Sequence, residues 1–180
     1  MKQFWRVPAC TMLLLSSLSC GAGSPESVSR TVRGPVVYQP GKERVLLVKR
    51  VGPAGAVLQT RLAGSDQDDL IVTFPPSCFQ RETEIILSLN AGSLHLRSGT
   101  ASGVVFRLFA VGVDAFKEAV SLQVRYDAVR WNGYVPIGYA IDPVDGELAA
   151  IDFGPLDRTK GQATFYTNVP LLFTWGYAKP

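Results

Sequence analysis

Val120-Ser121-Leu122-Gln123-Val124-Arg125-Tyr126 alternates apolar and polar side chains without a break. Successive side chains of a β-strand point to opposite faces, so Val120, Leu122, Val124 and Tyr126 form a core row while Ser121, Gln123 and Arg125 meet water. The same texture extends in both directions. From about Arg44 to the C-terminus, short apolar runs are separated by Gly, Pro, Asp and Asn. The predicted strands are Arg44–Val51, Ala56–Leu62, Leu70–Phe74, Glu82–Leu89, Ser93–Arg97, Val104–Ala110, Ala119–Tyr126, Val135–Ile141, Glu147–Asp152, Gln162–Thr167 and Leu171–Tyr177. Strands following one another every ten residues or so, roughly the interval seen in sandwiches and barrels, predict an all-β antiparallel sandwich.

Two further stretches support this reading. Leu171, Phe173, Trp175 and Tyr177 line one face of the last strand. Asp145-Gly146 falls between Pro143-Val144 and Glu147-Leu148, where glycine can take the positive φ of a tight hairpin turn. No stretch has a sustained helical period; Asp114 to Glu118 has room for one turn only.

The N-terminal residues have another character. Lys2 and Arg6 precede an uncharged apolar-to-small stretch, Val7 to Leu18, which has the layout of a bacterial secretory signal. It falls short of the roughly 20 apolar residues needed to cross a bilayer. Ser19-Cys20-Gly21 then resembles a lipobox, in which the cysteine sulfur takes a diacylglycerol and becomes the new N-terminus. Ser17 and Leu18 depart from the usual leucine three residues before the cysteine, and cleavage by an ordinary signal peptidase after Ala22 is the alternative. Cys10 sits inside the apolar run and fits less well. Residues 21–41, rich in Gly, Ser and Pro, read as a tether. The expected organisation is a signal peptide over 1–19, a lipidated Cys20 with a flexible tether over 20–43, and one β-sandwich over 44–180. Gly21 after the cysteine resembles lipoproteins sent to the outer membrane, so the expected address is the outer membrane of the bacterial cell envelope, with the membrane itself as a partner through the anchor.

Charge and chemistry-bearing residues narrow the role. Lys2 and Arg6 belong to the leader, so 16 basic residues face 15 acidic ones in the remainder, a net of +1. Both signs are interspersed, which argues against nucleic acid as a partner. The densest basic stretch, Lys42, Arg44, Lys49 and Arg50, is interrupted by Glu43 and Val45 to Val48 and reads as solvated strand ends. With Cys20 lipidated, Cys78 has no partner for an internal disulfide and reads as a small buried apolar residue. A Cys78–His95 catalytic pair is disfavoured because His95, between Leu94 and Leu96, has the position of an outward strand residue. Glu82/Glu84 and Asp142/Asp145 are paired carboxylates with nothing nearby to separate their acidities. No Gly-x-Ser-x-Gly elbow is present, and no enzyme or cofactor is predicted.

Two weaker signals point to binding. Trp131, Tyr134 and Tyr139 surround Asn132-Gly133, and rings on a loop suit carbohydrate or protein contacts. Asp66, Asp68 and Asp69 have oxygens for calcium but lack the spacing, the central Gly and the distal Glu of an EF-hand. No metal is predicted, and these three aspartates are the weak calcium candidate. A rival to a scaffold is therefore a secreted calcium-dependent carbohydrate-binding protein or a hydrolase accessory domain.

Several stretches from about Val51 onward resemble the ZU-five domain, the β-sandwich module of netrin receptors and ankyrins. Gly52-Pro53-Ala54-Gly55-Ala56-Val57 is similar to that family's opening turn and strand. Leu70-Ile71-Val72-Thr73-Phe74-Pro75-Pro76, followed by Thr83-x-Ile85, is similar to its "Ile-Pro-Pro-Gly … Thr-x-Ile" block, with Ser77 where glycine is usual. Val111-Gly112 to Phe116 and Ala119–Tyr126 resemble a further block in which proline commonly stands at Ala119. Similar domains recur in bacterial lipoproteins of unknown role. Some animal relatives cleave themselves at His-Phe-Ser. The nearest match here, Asn168-Val169-Pro170, has neither the base nor the hydroxyl, so no self-cleavage is expected. The resemblance implies a binding or scaffold module rather than an enzyme, and the expected task for an envelope protein of this kind is contact with other envelope proteins or extracellular polymers.

Overall fold

A computed structural model describes residues 37–39, 41–61, 69–90, 93–95, 100–101, 105–130, 132–144 and 146–178. Among these residues the regular elements are all strands: β1 (Val37–Gln39), β2 (Glu43–Val51), β3 (Ala56–Arg61), β4 (Asp69–Phe74), β5 (Thr83–Asn90), β6 (Ser93–His95), β7 (Thr100–Ala101), β8 (Val105–Ala110), β9 (Val120–Arg125), β10 (Val135–Ile141), β11 (Leu148–Ala150), β12 (Asp152–Asp157), β13 (Gln162–Thr167) and β14 (Leu171–Ala178). The protein is an antiparallel β-sandwich. A seven-stranded sheet runs β11-β10-β14-β8-β5-β2, with β7 also paired to β14, and packs on a five-stranded sheet running β12-β13-β9-β4-β3. A separate ribbon pairs β1 with β6.

The core between the sheets is built from alternate positions of each strand. β9 contributes Val120, Leu122 and Val124, β4 Leu70, Val72 and Phe74, and β13 Ala163 and Phe165. Opposite them stand Ile85 and Leu87 of β5, Phe106 and Leu108 of β8, and Phe173, Trp175 and Tyr177 of β14. Phe106 stacks on Phe173 at 5.3 Å and on Trp175 at 5.6 Å between ring centroids. At one end Phe74, Phe79 and Phe116 pack as a trio, with Phe116 edge-on to both partners. Such pairs add to simple area burial because the ring edge is positive and the face negative.

The chain passes from the five-stranded to the seven-stranded sheet after Phe74, where Pro75 and Pro76 cannot extend a ladder. Ser77 then takes φ 66, in the left-handed region, and its backbone N–H donates to Pro53 O at 2.7 Å. At the expected hairpin Gly146 has φ 75, its N–H donates to Asp142 O, and Asp142 N–H donates to Glu147 O.

Three expectations need correction. The tether predicted to extend to residue 43 gives way earlier, since Val37–Gln39 pairs with β6 and Glu43 opens β2. The strand β12 was missed because Gly154 and Pro155 break its pattern; an edge position and a bulge between Phe153 and Leu156 accommodate them. Residues 114–118 form bends rather than a helical turn. The final strand also departs from simple alternation. Leu172 and Thr174 are buried as well as Phe173 and Trp175, because Leu172 joins Val105, Tyr139, Ile141 and Leu148 in a second cluster on the outer face of the seven-stranded sheet.

Candidate functional site

At one end of the sandwich, the connection from β9 to β10 meets the turn between β12 and β13. Tyr126 continues the core row of β9 and is buried, while its backbone N–H donates to Gly161 O at 2.7 Å. Gly161 has φ 61, and a Cβ there would lie 2.4 Å from Tyr126 O, so this contact requires glycine. Asp127 Oδ1 accepts from the backbone N–H groups of Val129 and Arg130, both at 3.0 Å, which fixes the next turn. Such local side-chain to backbone bonds give a loop a defined shape without regular pairing. The β12–β13 turn is held likewise, by Asp157 accepting from Lys160 N–H and pairing with its ammonium at 3.7 Å.

Between these turns lies a cleft of about 320 Å³, lined by Tyr126, Ala128, Val129, Asn132 and Arg158. Burial pushes the Tyr126 phenol above its ordinary acidity range; the Arg158 guanidinium opposes that and the Asp157 carboxylate adds to it. The phenol therefore stays protonated at neutral pH and can serve as a hydrogen-bond donor. With the Asn132 amide and the Arg158 guanidinium it makes a donor-rich wall beside the apolar Ala128 and Val129. That combination suits holding a polar group with an apolar flank. Among the described residues no three His, Cys, Asp or Glu side chains come together as a metal would need.

The residues singled out by sequence are distributed unevenly around this cleft. Cys20, Trp131, Asp66 and Asp68 lie outside the described residues, as do the leader and Asp145. Asp69 opens β4, its backbone paired with Arg61. Tyr134 is half-buried and packs against the main core. Tyr139 is not a loop residue. It lies within β10 opposite Thr174, is 8% exposed, and burial in the outer cluster raises its phenol. The expected ring of exposed aromatics is corrected on this point. His95 belongs to β6, opposite Val37. Cys78 is buried, its Sγ donating to Glu118 O at 3.8 Å, and desolvation raises the thiol above its usual range. Glu82 and Glu84 are exposed, and Asp142 accepts from Val144 N–H as a turn residue.

Sequence reasoning missed Arg158 and took Tyr126 for core alone. The two are brought together by the pairing of β9 with β13, in which Arg125 stands opposite Gln162. That pairing joins strands far apart in the chain, and no short motif announces it. A second cleft, about 420 Å³, lies across β2, β5 and the β8–β9 connection, lined by Arg50, Arg81, Glu82, Thr83, Glu84 and Val111 to Val113. No protein-family model matches the chain, and no curated protein matches it as a relative.

Proposed function

We propose that this chain is a lipid-anchored bacterial envelope protein, held at the outer membrane, whose sandwich acts as a noncatalytic binding or scaffold module. The observation that carries the reading is Ser19-Cys20-Gly21 behind a basic and then apolar leader. A thioether-linked diacylglycerol and a further acyl chain at Cys20 would bury many methylenes, each contributing about 0.8 kcal/mol, and two or more chains hold a protein firmly. The ZU-five-like stretches support a binding or scaffold role. At Ser77, where that pattern has glycine, the left-handed φ of 66 is the backbone conformation glycine favours. The donor-rich cleft of Tyr126, Asn132 and Arg158 supports contact with envelope proteins or extracellular polymers through the sandwich end.

Metabolic labelling with a clickable fatty acid tests the anchor. Wild-type protein should carry the label and fractionate with membranes, and Cys20→Ala should carry none. Equal labelling of both would sink the reading. For the module, crosslinked pull-downs should lose a specific partner on Arg158→Ala. A partner set unchanged by that substitution would remove the cleft from the proposal.

A further inference from the structure

The two turns that wall the Tyr126 cleft commit their carboxylates and leave side-chain donors over. Asp127 accepts from the N–H groups of Val129 and Arg130, and Asp157 from that of Lys160, whose ammonium also pairs with it. Arg130 is engaged as well. The Tyr126 phenol, the Asn132 amide and the Arg158 guanidinium, by contrast, make no hydrogen bond or ion pair among the described residues, and all three residues line the cleft. Asn132 and Arg158 are exposed and meet water there. Tyr126 is only 5% exposed, at the end of the core row of β9. Phenylalanine would fill that row equally well, and a buried hydroxyl without an acceptor is costly. The phenol is near enough to Arg158 and Asp157 to feel both charges, which sets its O–H at the cleft.

A group that satisfies these donors brings acceptor oxygens and a negative charge. One uncommitted guanidinium balances one charge. Asp157, next to Arg158, opposes a second, so a carboxylate fits better than a doubly charged phosphate. A sugar fits the rest of the cleft better than a peptide. None of the lining residues lies in a strand, so an extended peptide finds no edge to pair with. The N–H groups that could capture a peptide carboxylate, those of Tyr126, Val129, Arg130 and Asn132, are already taken. Asn132 both donates and accepts, as a sugar hydroxyl does, and Ala128 with the exposed Val129 gives the C–H face of a ring an apolar flank. At about 320 Å³ the cleft lies at the small end of ligand pockets, roughly 300–1,000 Å³, which suits a short stretch of a longer chain.

We infer that the cleft of Tyr126, Asn132 and Arg158 holds the carboxylate of a uronic acid residue in an acidic polysaccharide, with Arg158 pairing its charge and Tyr126 and Asn132 donating to its oxygens. The inference rests on the binding role proposed above and gives that role a ligand class.

Direct titration of the purified full-length chain, carrying Cys20→Ala and kept in mild detergent, tests this apart from the anchor. The probes are trisaccharides of galacturonate, glucuronate and mannuronate, their methyl esters, inorganic phosphate and a triaspartate peptide. At least one of the acid trisaccharides should bind saturably in calorimetry. Its methyl ester, which keeps the rings and loses the charge, should bind roughly tenfold more weakly or worse. Arg158→Gln should weaken the acid by roughly tenfold or more and leave the ester unchanged. Tyr126→Phe should weaken the acid roughly fivefold to tenfold without lowering Tm, because the phenol has no partner among the described residues to give up. Gln123→Ala, outward on β9 and not part of the cleft, should bind as the unmutated chain does. No saturable binding by any of the acids, equal binding of acid and ester, tighter binding of triaspartate or phosphate, or affinity indifferent to Arg158 and Tyr126 would overturn the inference. A protein partner lost in pull-downs on Arg158→Ala, without uronate binding, would leave the scaffold role standing and overturn this ligand class alone.

Discussion

β9 and β14 are both inner strands of their sheets, yet they are buried differently. In β9 the row Val120, Leu122, Val124 is buried, Ser121 and Gln123 are half-buried and Arg125 is exposed. In β14 Phe173 and Trp175 are buried on one face, and Leu172 and Thr174 are buried on the other. An antiparallel sheet needs only one covered face, and the five-stranded sheet keeps to that minimum. The seven-stranded sheet is covered on both faces along β10 and β14, where Val105, Tyr139, Ile141, Leu148 and Leu172 gather. Toward β5 and β2 its outer face opens again, exposing Val48 and Phe109. One sheet therefore supplies both a structural middle layer and an accessible surface.

The largest effect should come from the inner face. Phe173 is fully buried and stacked on Phe106, so Phe173→Ala removes a ring and leaves a cavity. The expected loss is about 3–5 kcal/mol in urea unfolding, with little change in slope. A loss below about 1 kcal/mol would mean that this sheet does not share its core with the other. The outer face of the same strand is the sharper probe. Leu172→Ala should cost about 2 kcal/mol, whereas Gln123→Ala, outward on β9, should stay within about 0.5 kcal/mol. Equal small effects would erase the distinction between the two strands.

The core row of β9 was legible because that strand is buried on one face and period two is unambiguous there. The second face of β14 was harder to read. Leu171-Leu172-Phe173-Thr174-Trp175 is nearly continuous in large side chains, which fits burial on two sides, but the alternating aromatics suggest one. Leu46 and Leu47, consecutive in β2, both turn toward the core because the bulge inserts a residue, and a bulge leaves no local mark in sequence. The cleft was the least legible part. Tyr126 lies at the end of a strand that was identified, but Arg158 arrives by a long-range pairing that only the sheet order reveals.

A smaller test concerns the polar bridge on the open part of the outer face. Ser88 is fully buried and donates to the Glu43 carboxylate, which also pairs with Arg107 at 3.2 Å. The Ser88 bond, more than the Arg107 charge, holds the Glu43 carboxyl below its ordinary range. A carboxyl lowered in the folded state stabilises the fold above its unfolded pKa, and that contribution disappears as pH falls through the folded value. Ser88→Ala should therefore cost about 1 kcal/mol at pH 7. The deficit should shrink below the ordinary carboxylate range, where Glu43 is protonated in both proteins. Both Glu43 and Arg107 are well exposed, so salt should weaken the ion pair and leave the Ser88 bond. A deficit independent of pH would show that Ser88 acts through packing alone, and would remove the polar bridge as a difference between the sheets.

The smallest effect, and one of opposite sign, belongs to the joint between the two sheets. Ser77 is exposed, has φ 66, and contributes its backbone N–H to Pro53 O between β4 and β5. The left-handed region costs an L-residue about 1–2 kcal/mol, while glycine loses roughly 0.5–1 kcal/mol more backbone entropy on folding. Relief of strain exceeds that entropy by a small margin, so Ser77→Gly should stabilise by about 0.5 kcal/mol. For a sandwich of this size that is a rise in Tm of roughly 1–2 °C. Adding Leu172→Ala to Ser77→Gly should give the sum of the separate changes, because Ser77 and Pro53 belong to the joint and neither is a member of the outer cluster around Leu172. Non-additivity would mean that the crossing from one sheet to the other adjusts when the outer layer is weakened, which would make the two sheets a single mechanical unit.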